Sequence, residues 1–339
     1  MSRNDTLKGV NGAKERHRVI LETKNLKKYF RVKSKFLHLN IGWIKAVDNV
    51  CLNVISGETL GLVGESGCGK STLGRTLVGI YRPTGGEIYF QGKRADNLQP
   101  RDRIGFCRNV QYLHQDPTSC LDPWWKIGTS IKEPLMVHQR ELSKKEMNRK
   151  VGEILEAVGL EADYGTRYLH ELSGGQQRRV GLARILILNP SVIIFDEPTS
   201  GTDVSVQATV LKLIKRIKDE YKLTYVHISH NLAVVRSVSD RIAVMYLGEF
   251  VELGEARSIC EEPLHPYTRA LFAALPQIDF SPDKDRNEYI VTGEPPDPQN
   301  PPSGCHFHPR CPMAQDICSI TKPVLRDVNI ARKVACHMV

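Results

Sequence analysis

No stretch of the 339-residue sequence approaches the ~18 uninterrupted apolar residues of a membrane-spanning helix. The opening MSRNDTLKGVNGAKERHR lacks the apolar segment of a secretory signal, so the expectation is a protein of the cytosol or of a membrane's cytosolic face. The composition is equally far from disordered, collagen-like or coiled-coil chains. Apolar content, about 46% once glycine is counted and tyrosine left out, sits in the ordinary globular range of about 45 to 50%. No RNA- or DNA-binding motif accompanies the net charge of +9, so no specific nucleic-acid partner is expected. The excess is local: residues 1 to 45 hold 12 Lys and Arg against 3 Asp and Glu, which accounts for all of it. This predicts a basic flexible arm over residues 1–18.

Beyond the arm, strands and helices alternate. ETLGLV (58–63) is a short apolar run, then a glycine-rich turn, then STLGRTLVGI with helical apolar spacing closed by Gly79. VIIFD (192–196) repeats the pattern, leading into a helical stripe of Val206, Val210, Leu213, Ile214 and Ile217. LTYVHIS (223–229) and RIAVMYL (241–247) read as further strands, and the alternation implies an α/β fold with a largely parallel sheet. The region 118–190 reads as a helical insert. Ser143 and Glu146 form a capping box there, before Met147, Val151, Ile154, Leu155 and Val158 at helical spacing. Proline-rich PPDPQNPPSG (295–304) marks a change of composition, and a boundary is placed near residue 260.

The turn after the first strand reads Gly64, Glu65, Ser66, Gly67, Cys68, Gly69, Lys70, Ser71, with Thr72 next. This is the phosphate-binding pattern G-x-x-x-x-G-K-[ST] in its required place between strand and helix. Its glycines turn backbone N–H groups toward phosphates, Lys70 places a charge on the β- and γ-phosphates, and Ser71 offers a hydroxyl to Mg²⁺. Asp196 ends the second apolar strand, as suits a carboxylate holding Mg²⁺ through water. Glu197 comes next, where a carboxylate can orient or deprotonate the attacking water.

These two features define only an NTPase; Leu172-Ser173-Gly174-Gly175-Gln176, opening a helix before the second acidic strand, narrows the class. With these residues the sequence resembles the ATP-binding subunits of ABC transporters over about residues 19–260. Gln115 in QYLHQDP resembles the Q-loop glutamine, also a Mg²⁺ contact. Ser200-Gly-Thr-Asp203 resembles the D-loop, His230 the switch histidine, and Tyr29 in LKKYF the aromatic that stacks on adenine. The D-loop departs from the common Ser-Ala-Leu-Asp, and Gln177-Arg178-Arg179 from the frequent Arg-Gln-Arg. The resemblance implies a P-loop NTPase core with an antiparallel β subdomain and a helical signature subdomain. It also implies an ATP sandwich in which Ser173 to Gln176 serve the nucleotide of a second ATP-binding subunit, more readily a paralogue than a second copy.

Leu264-His265-Pro266-Tyr267-Thr268 and GEPPDPQNPPSGCHFHPRCPMA resemble the C-terminal extension of oligopeptide and dipeptide importer ATPases, here residues 261–339. Cys305, Cys311, Cys318 and Cys336 crowd this extension with no C-x-x-C among them, so a [4Fe–4S] cluster suits them better than the short chelate of a structural zinc. Zn²⁺, with His306, His308 or His337, is the alternative, and the resembled family associates the pattern with [4Fe–4S]. The implied partners are two transmembrane permease subunits and an extracytoplasmic substrate-binding protein. The stretch from Pro117 to Trp125 is the implied permease dock. Trp124 and Trp125 are candidate anchors, with core packing of one the alternative. A soluble ABC-type ATPase of a phosphonate carbon–phosphorus lyase system is the rival reading. A nucleic-acid-linked ATPase is a third, opposed by the lack of a second cassette or a long coiled coil. Cargo is not legible, since peptide, nickel and glutathione importers share these motifs.

Overall fold

A computed structural model describes residues 18–33, 40–116, 120–198, 204–273, 293–329 and 331–339. Residues 1–17 of the basic arm, Pro117 and the D-loop stretch Ser200–Asp203 lie outside the described residues. In chain order the elements begin β1 (Val19–Lys33), β2 (Asn40–Ile55), β3 (Thr59–Val63), α1 (Lys70–Leu77), β4 (Gly85–Phe90), β5 (Lys93–Arg94), α2 (Pro100–Asn109) and β6 (Val110–Leu113). The insert supplies α3 (Ile127–His138), α4 (Lys144–Ala157) and α5 (Gly174–Leu186). Then come β7 (Val192–Asp196), α6 (Val204–Tyr221), β8 (Thr224–Ile228), α7 (Leu232–Val238), β9 (Arg241–Tyr246), β10 (Glu249–Glu255), α8 (Ala256–Glu261) and α9 (Pro266–Ala273). The chain closes with α10 (Asp316–Ile320), β11 (Arg326–Asn329) and β12 (Arg332–Val334). No described helix is long and apolar enough to cross a membrane.

The chain divides into two compact units. The first comprises residues 1–20, 55–58 and 90–226. There β6 and β7 pair in parallel, Val110 with Val192 through Leu113 with Phe195. Its core joins the apolar stripes of α3, α4, α5 and α6 (Ile131, Leu155, Val180, Ile217) to Ile193 and Phe195. The expected capping box forms: Ser143 Oγ accepts from the Glu146 N–H at 3.3 Å and Glu146 Oε2 from the Ser143 N–H at 2.9 Å. At the far end of α4, Gly159 at φ 74° donates to Glu156 O and Leu160 to Leu155 O, the Schellman pattern that a left-handed residue permits. Of the predicted α6 stripe, Val210, Ile214 and Ile217 are buried. The Val206 side chain lies outside those described.

The second unit comprises residues 21–54, 59–89 and 227–339, on both sides of the boundary expected near 260. All five residues of β3 are buried, and the strand pairs in parallel with β9. Beyond β9 the pairing turns antiparallel: β9 with β10, β10 with β12, β12 with β11. The expectation of a largely parallel sheet is therefore corrected to mixed parallel and antiparallel pairing. The physical reason is a two-residue hairpin loop, Leu247 at φ 41° and Gly248 at φ 84°, whose paired positive φ values match strand twist. Leucine there carries no turn signal, which concealed the hairpin. β2, β1 and β4 lie side by side in a separate sheet. The unit's core gathers Val63, Val244, Tyr246, Ile259, Tyr267 and Phe307, so the C-terminal segment contributes to the same core as β3 and β9.

Candidate functional site

In the second unit, β3 runs into the glycine-rich turn and the turn into α1. Gly69 caps α1 at φ 109° with no side-chain cap, and a Cβ there would lie 2.0 Å from the Ala46 carbonyl oxygen. Gly64 is similarly confined, its absent Cβ 2.2 Å from the Met245 carbonyl. Only glycine lets the loop close this tightly. First-turn N–H groups of a helix have no intrahelical acceptor, and with the helix dipole they suit a phosphate. Lys70 is 6% exposed, and its Nζ donates to the carbonyls of Gly64 and Glu65, each at 2.8 Å. Burial raises the Cys68 thiol pKa, so this loop position holds a neutral thiol rather than a competing anion.

Tyr29, on β1, is half-buried. Its hydroxyl donates to Asp48 Oδ1 at 2.5 Å, and burial first, then Asp48, pushes its pKa up. Asp48 lies two residues past Ala46, against whose carbonyl Gly69 packs, so β2 ties the ring to the loop. His230 is exposed just after β8. The next residue, Asn231, caps α7 by accepting from the Ala233 and Val234 N–H groups at 3.1 and 3.3 Å.

The remaining predicted groups lie in the first unit. Asp196 ends β7 at 3% exposure, and its Oδ2 accepts a short hydrogen bond from the buried Tyr112 hydroxyl. Glu197 comes next at φ 51°, a left-handed conformation costing a non-glycine residue about 1–3 kcal/mol and concentrated at functional sites. Gln115 Nε2 donates to Glu197 Oε2 at 3.4 Å, so these two expected residues meet. Ser173 caps α5 in a second capping box with Gln176, while Gly174 has open space where a Cβ would stand. Gly174 is exposed at that helix start, and the Gln176 N–H is taken by the Ser173 cap. Arg178 Nη1 reaches the Pro198 carbonyl at 3.3 Å, tying α5 to the residue after Glu197.

Three of these contacts were not foreseen: Tyr112 to Asp196, Asp48 to Tyr29 and Arg178 to Pro198. Tyr112 stands inside QYLHQDP, three residues before Gln115, and that place in the motif is the signal that could have found it. Trp124 and Trp125 are 85% and 41% exposed, so the alternative that one packs in the core is discarded.

Residues 47–200 match the family described as ABC transporter. The oligopeptide transport ATP-binding protein AppF of Bacillus subtilis is 45% identical over 320 residues, 94% of this chain and 97% of the relative. The chain belongs to the ABC transporter ATP-binding subunits. As a member of that family, it is an ATPase. This ABC ATPase is also 42% identical to the oligopeptide transport ATP-binding protein OppF of Escherichia coli, over 96% of this chain and 98% of the relative. It is 43% identical to the di/tripeptide transport ATP-binding protein DppF of Pseudomonas aeruginosa, over 94% and 97%. Residues 251–318 match the oligopeptide/dipeptide transporter C-terminal region. Among solved structures, a dimeric ATP-binding cassette in a post-hydrolysis state, bound to ADP and Pi, superposes with a TM-score of 0.62 at 28% identity, covering 70% of this chain and 99% of that one.

Within the ABC ATPase's C-terminal extension, Cys305, Cys311, Cys318 and Cys336 line one small cavity with His308, His337 and Met338. Burial, and then the neighbouring thiols, push Cys305 up to about 11; burial also raises Cys311 and Cys336. Among the described residues no group of three or more His, Cys, Asp or Glu stands at metal-holding geometry.

Proposed function

We propose that this chain is the ATP-hydrolysing subunit that energises uptake of di- or oligopeptides through an ABC importer. The observation that carries the reading is the coexistence of a formed glycine cradle at α1 with a C-terminal segment matching the oligopeptide/dipeptide transporter region. Each half of the chemistry has its own residues. Tyr29 stacks on the adenine; Gly64 to Thr72 enclose the phosphates; Lys70 neutralises charge that builds on the β- and γ-oxygens. Ser71, Gln115 and Asp196 supply the hard oxygen donors that suit Mg²⁺, and the bound ion supplies charge neutralisation on the phosphates. Glu197 orients the attacking water or takes its proton, and His230 contacts the γ-phosphate side. Phosphoryl transfer depends mainly on such positioning and charge stabilisation.

Ser173, Gly174, Gly175 and Gln176 would complete the site of a second ATP-binding subunit. Asp203 of the D-loop would lie between the pair. Closure with two ATP molecules and opening after hydrolysis would drive two permease subunits, fed by an extracytoplasmic binding protein. This places the chain peripherally on the cytoplasmic membrane face, with Trp124 and Trp125 exposed where the permease docks. Functionally the chain then reads as arm (1–18), ABC ATPase domain (19–260, helical part about 118–190) and extension (261–339).

The four cysteines fit a [4Fe–4S] cluster chemically. Burial disfavours bare thiolates at Cys305, Cys311 and Cys336, and a cluster bonded to the sulfurs would offset that cost. Such a cluster, held by Cys305, Cys311, Cys318 and Cys336, would supply a cross-link within the extension; Zn²⁺ is the alternative occupant. In the extension β12 pairs with β10, and β11 pairs with β12.

The test is a pull-down of the tagged chain from gently solubilised native membranes, with partners identified by mass spectrometry. Two polytopic subunits and a second ATPase are expected. Recovery from the soluble fraction alone, with metabolic enzymes, would replace the importer by a soluble enzyme-complex ATPase.

A further inference from the structure

The glycine-rich loop is gripped from behind by the cysteine-bearing turn. Glu65, its second residue, is pinned at three points. Its carboxylate accepts both ends of the Arg310 fork, Nη1 to Oε2 and Nη2 to Oε1, each at 2.9 Å. Its N–H donates to the Tyr267 hydroxyl at 2.8 Å. Its carbonyl accepts from Lys70 Nζ at 2.8 Å. Arg310 is thus two hydrogen bonds from the lysine that meets the phosphates.

Arg310 is itself fixed. It lies in a tight turn between Cys305 and Cys311, where His308 N–H donates to Cys305 O at 3.0 Å, Arg310 N–H to Phe307 O at 3.0 Å and Cys311 N–H to His308 O at 3.2 Å. Phe307, 1% exposed, packs against the rings of Tyr246 and Tyr267, with centroids 5.4 Å from each. Arg310 Nη1 also reaches the Tyr246 hydroxyl at 3.3 Å. The Arg310 side chain is 8% exposed and that of Glu65 28%. Water therefore screens the fork weakly, and bidentate charge-assisted geometry makes it directional as well as strong.

A plain tertiary anchor would tie the extension to any convenient surface. This one ends on the residue whose carbonyl aims Lys70, and it leaves the Glu65 N–H turned to Tyr267 rather than to a phosphate. We propose that Arg310, assisted by Tyr267, is a positioning residue for the phosphate loop, so that the cysteine-bearing turn sets ATP affinity through Glu65. The inference rests on reading Gly64 to Ser71 as the ATP phosphate loop. Coupling of this kind is reciprocal: ATP on the loop must steady the turn by the factor with which the turn favours ATP.

The experiment is equilibrium ATP binding by the purified full chain, with hydrogen exchange of residues 305–311 as a second readout. Arg310→Met and Glu65→Gln should each weaken ATP binding on the order of 10-fold to 100-fold, the range for partners that orient a direct ligand. The double variant should be no weaker than the worse single one, because both remove one link. Arg310→Lys should fall between wild type and Arg310→Met, since an ammonium cannot reproduce the fork. Arg257→Ala, in an exposed pair with Glu261, should bind like wild type. ATP should slow exchange of the turn in wild type and not in Arg310→Met. Wild-type affinity in folded Arg310→Met, or multiplied losses in the double variant, would overturn the proposal. Should Arg310→Met fail to fold, Tyr267→Phe keeps the ring packing and deletes only the hydroxyl; unchanged ATP affinity there overturns it equally. Undiminished binding by Lys70→Ala would instead sink the phosphate-loop reading.

Discussion

Glu252 offers a place to test whether the C-terminal extension is integral to the second unit's core. Its carboxylate is fully buried and receives four hydrogen bonds. Arg332 Nε and Nη2 reach Oε1 at 2.9 and 2.5 Å, the Leu264 N–H reaches Oε1 at 3.0 Å, and the His265 N–H reaches Oε2 at 3.0 Å. One carboxylate thereby joins β10, β12 and the turn that opens α9. Arg332→Met keeps most of the side-chain volume but removes the cation from the network. Breaking one side of a buried pair costs about 3–5 kcal/mol, because the remaining charge stays desolvated and uncompensated. The local readout is amide exchange at Leu264 and His265, whose N–H groups depend on Glu252. At about 1.4 kcal/mol per tenfold change, both should exchange roughly two to four powers of ten faster. The double variant Glu252→Gln/Arg332→Met should cost less than the sum of its singles by about 0.5–3 kcal/mol. Exchange within threefold of wild type in Arg332→Met would refute the claim that this pair organises the extension.

Glu197→Gln should retain ATP while losing about 10²- to 10⁴-fold in phosphate release, the usual contribution of a positioned base; wild-type turnover would remove Glu197 from the chemistry. His227 and His265 are buried neutral, and burial lowers their pKa values from 6.5 to about 4 and about 3. Below about pH 6.5 the unfolded chain binds protons that the native histidines refuse. Stability is therefore complete above pH 6.5 and lost as pH falls toward 4, at about 1.4 kcal/mol per pH unit for each histidine. Urea midpoints from pH 7.5 to 4.5 should fall accordingly, and a flat series contradicts the burial argument. Anaerobically purified protein should be brown with about four irons per chain by the Cys₄ argument. Colourless protein with one zinc would assign the cysteines to the alternative metal.

What was legible in the sequence is what depends on neighbours along the chain. The cradle is read from the spacing of Gly64, Gly69 and Lys70 between strand and helix, although the carbonyls that exclude a Cβ there come from Met245 and Ala46. The boxes at Ser143 and Ser173 each close over three residues. The stripe from Met147 to Val158 needs only the helical period to announce a buried face. The hairpin of β9 and β10 escaped because its left-handed positions are Leu247 and Gly248, and leucine does not advertise a turn. For Trp124 and Trp125 the sequence left two readings open, exposed anchor or core packing of one, because a bulky aromatic suits either until its surroundings are known; both are exposed.

The contacts that aim the chemistry are long-range polar pairs, and these leave almost no local trace. Tyr112 and Asp196 are 84 residues apart, Glu252 and Arg332 80, Glu65 and Arg310 245. In none of them does the sequence around one partner point to the other. Glu65 occupies an unspecified position of the phosphate-loop pattern, so the pattern assigns its side chain no role. In the folded chain its carboxylate has one acceptor task, with Arg310, while its backbone serves Tyr267 and Lys70. A substitution at an unspecified motif position is therefore not neutral by default. Glu65→Ala keeps the glycines, the lysine and the serine, yet breaks the fork with Arg310, and the pattern would still match a loop that has lost that link to the extension.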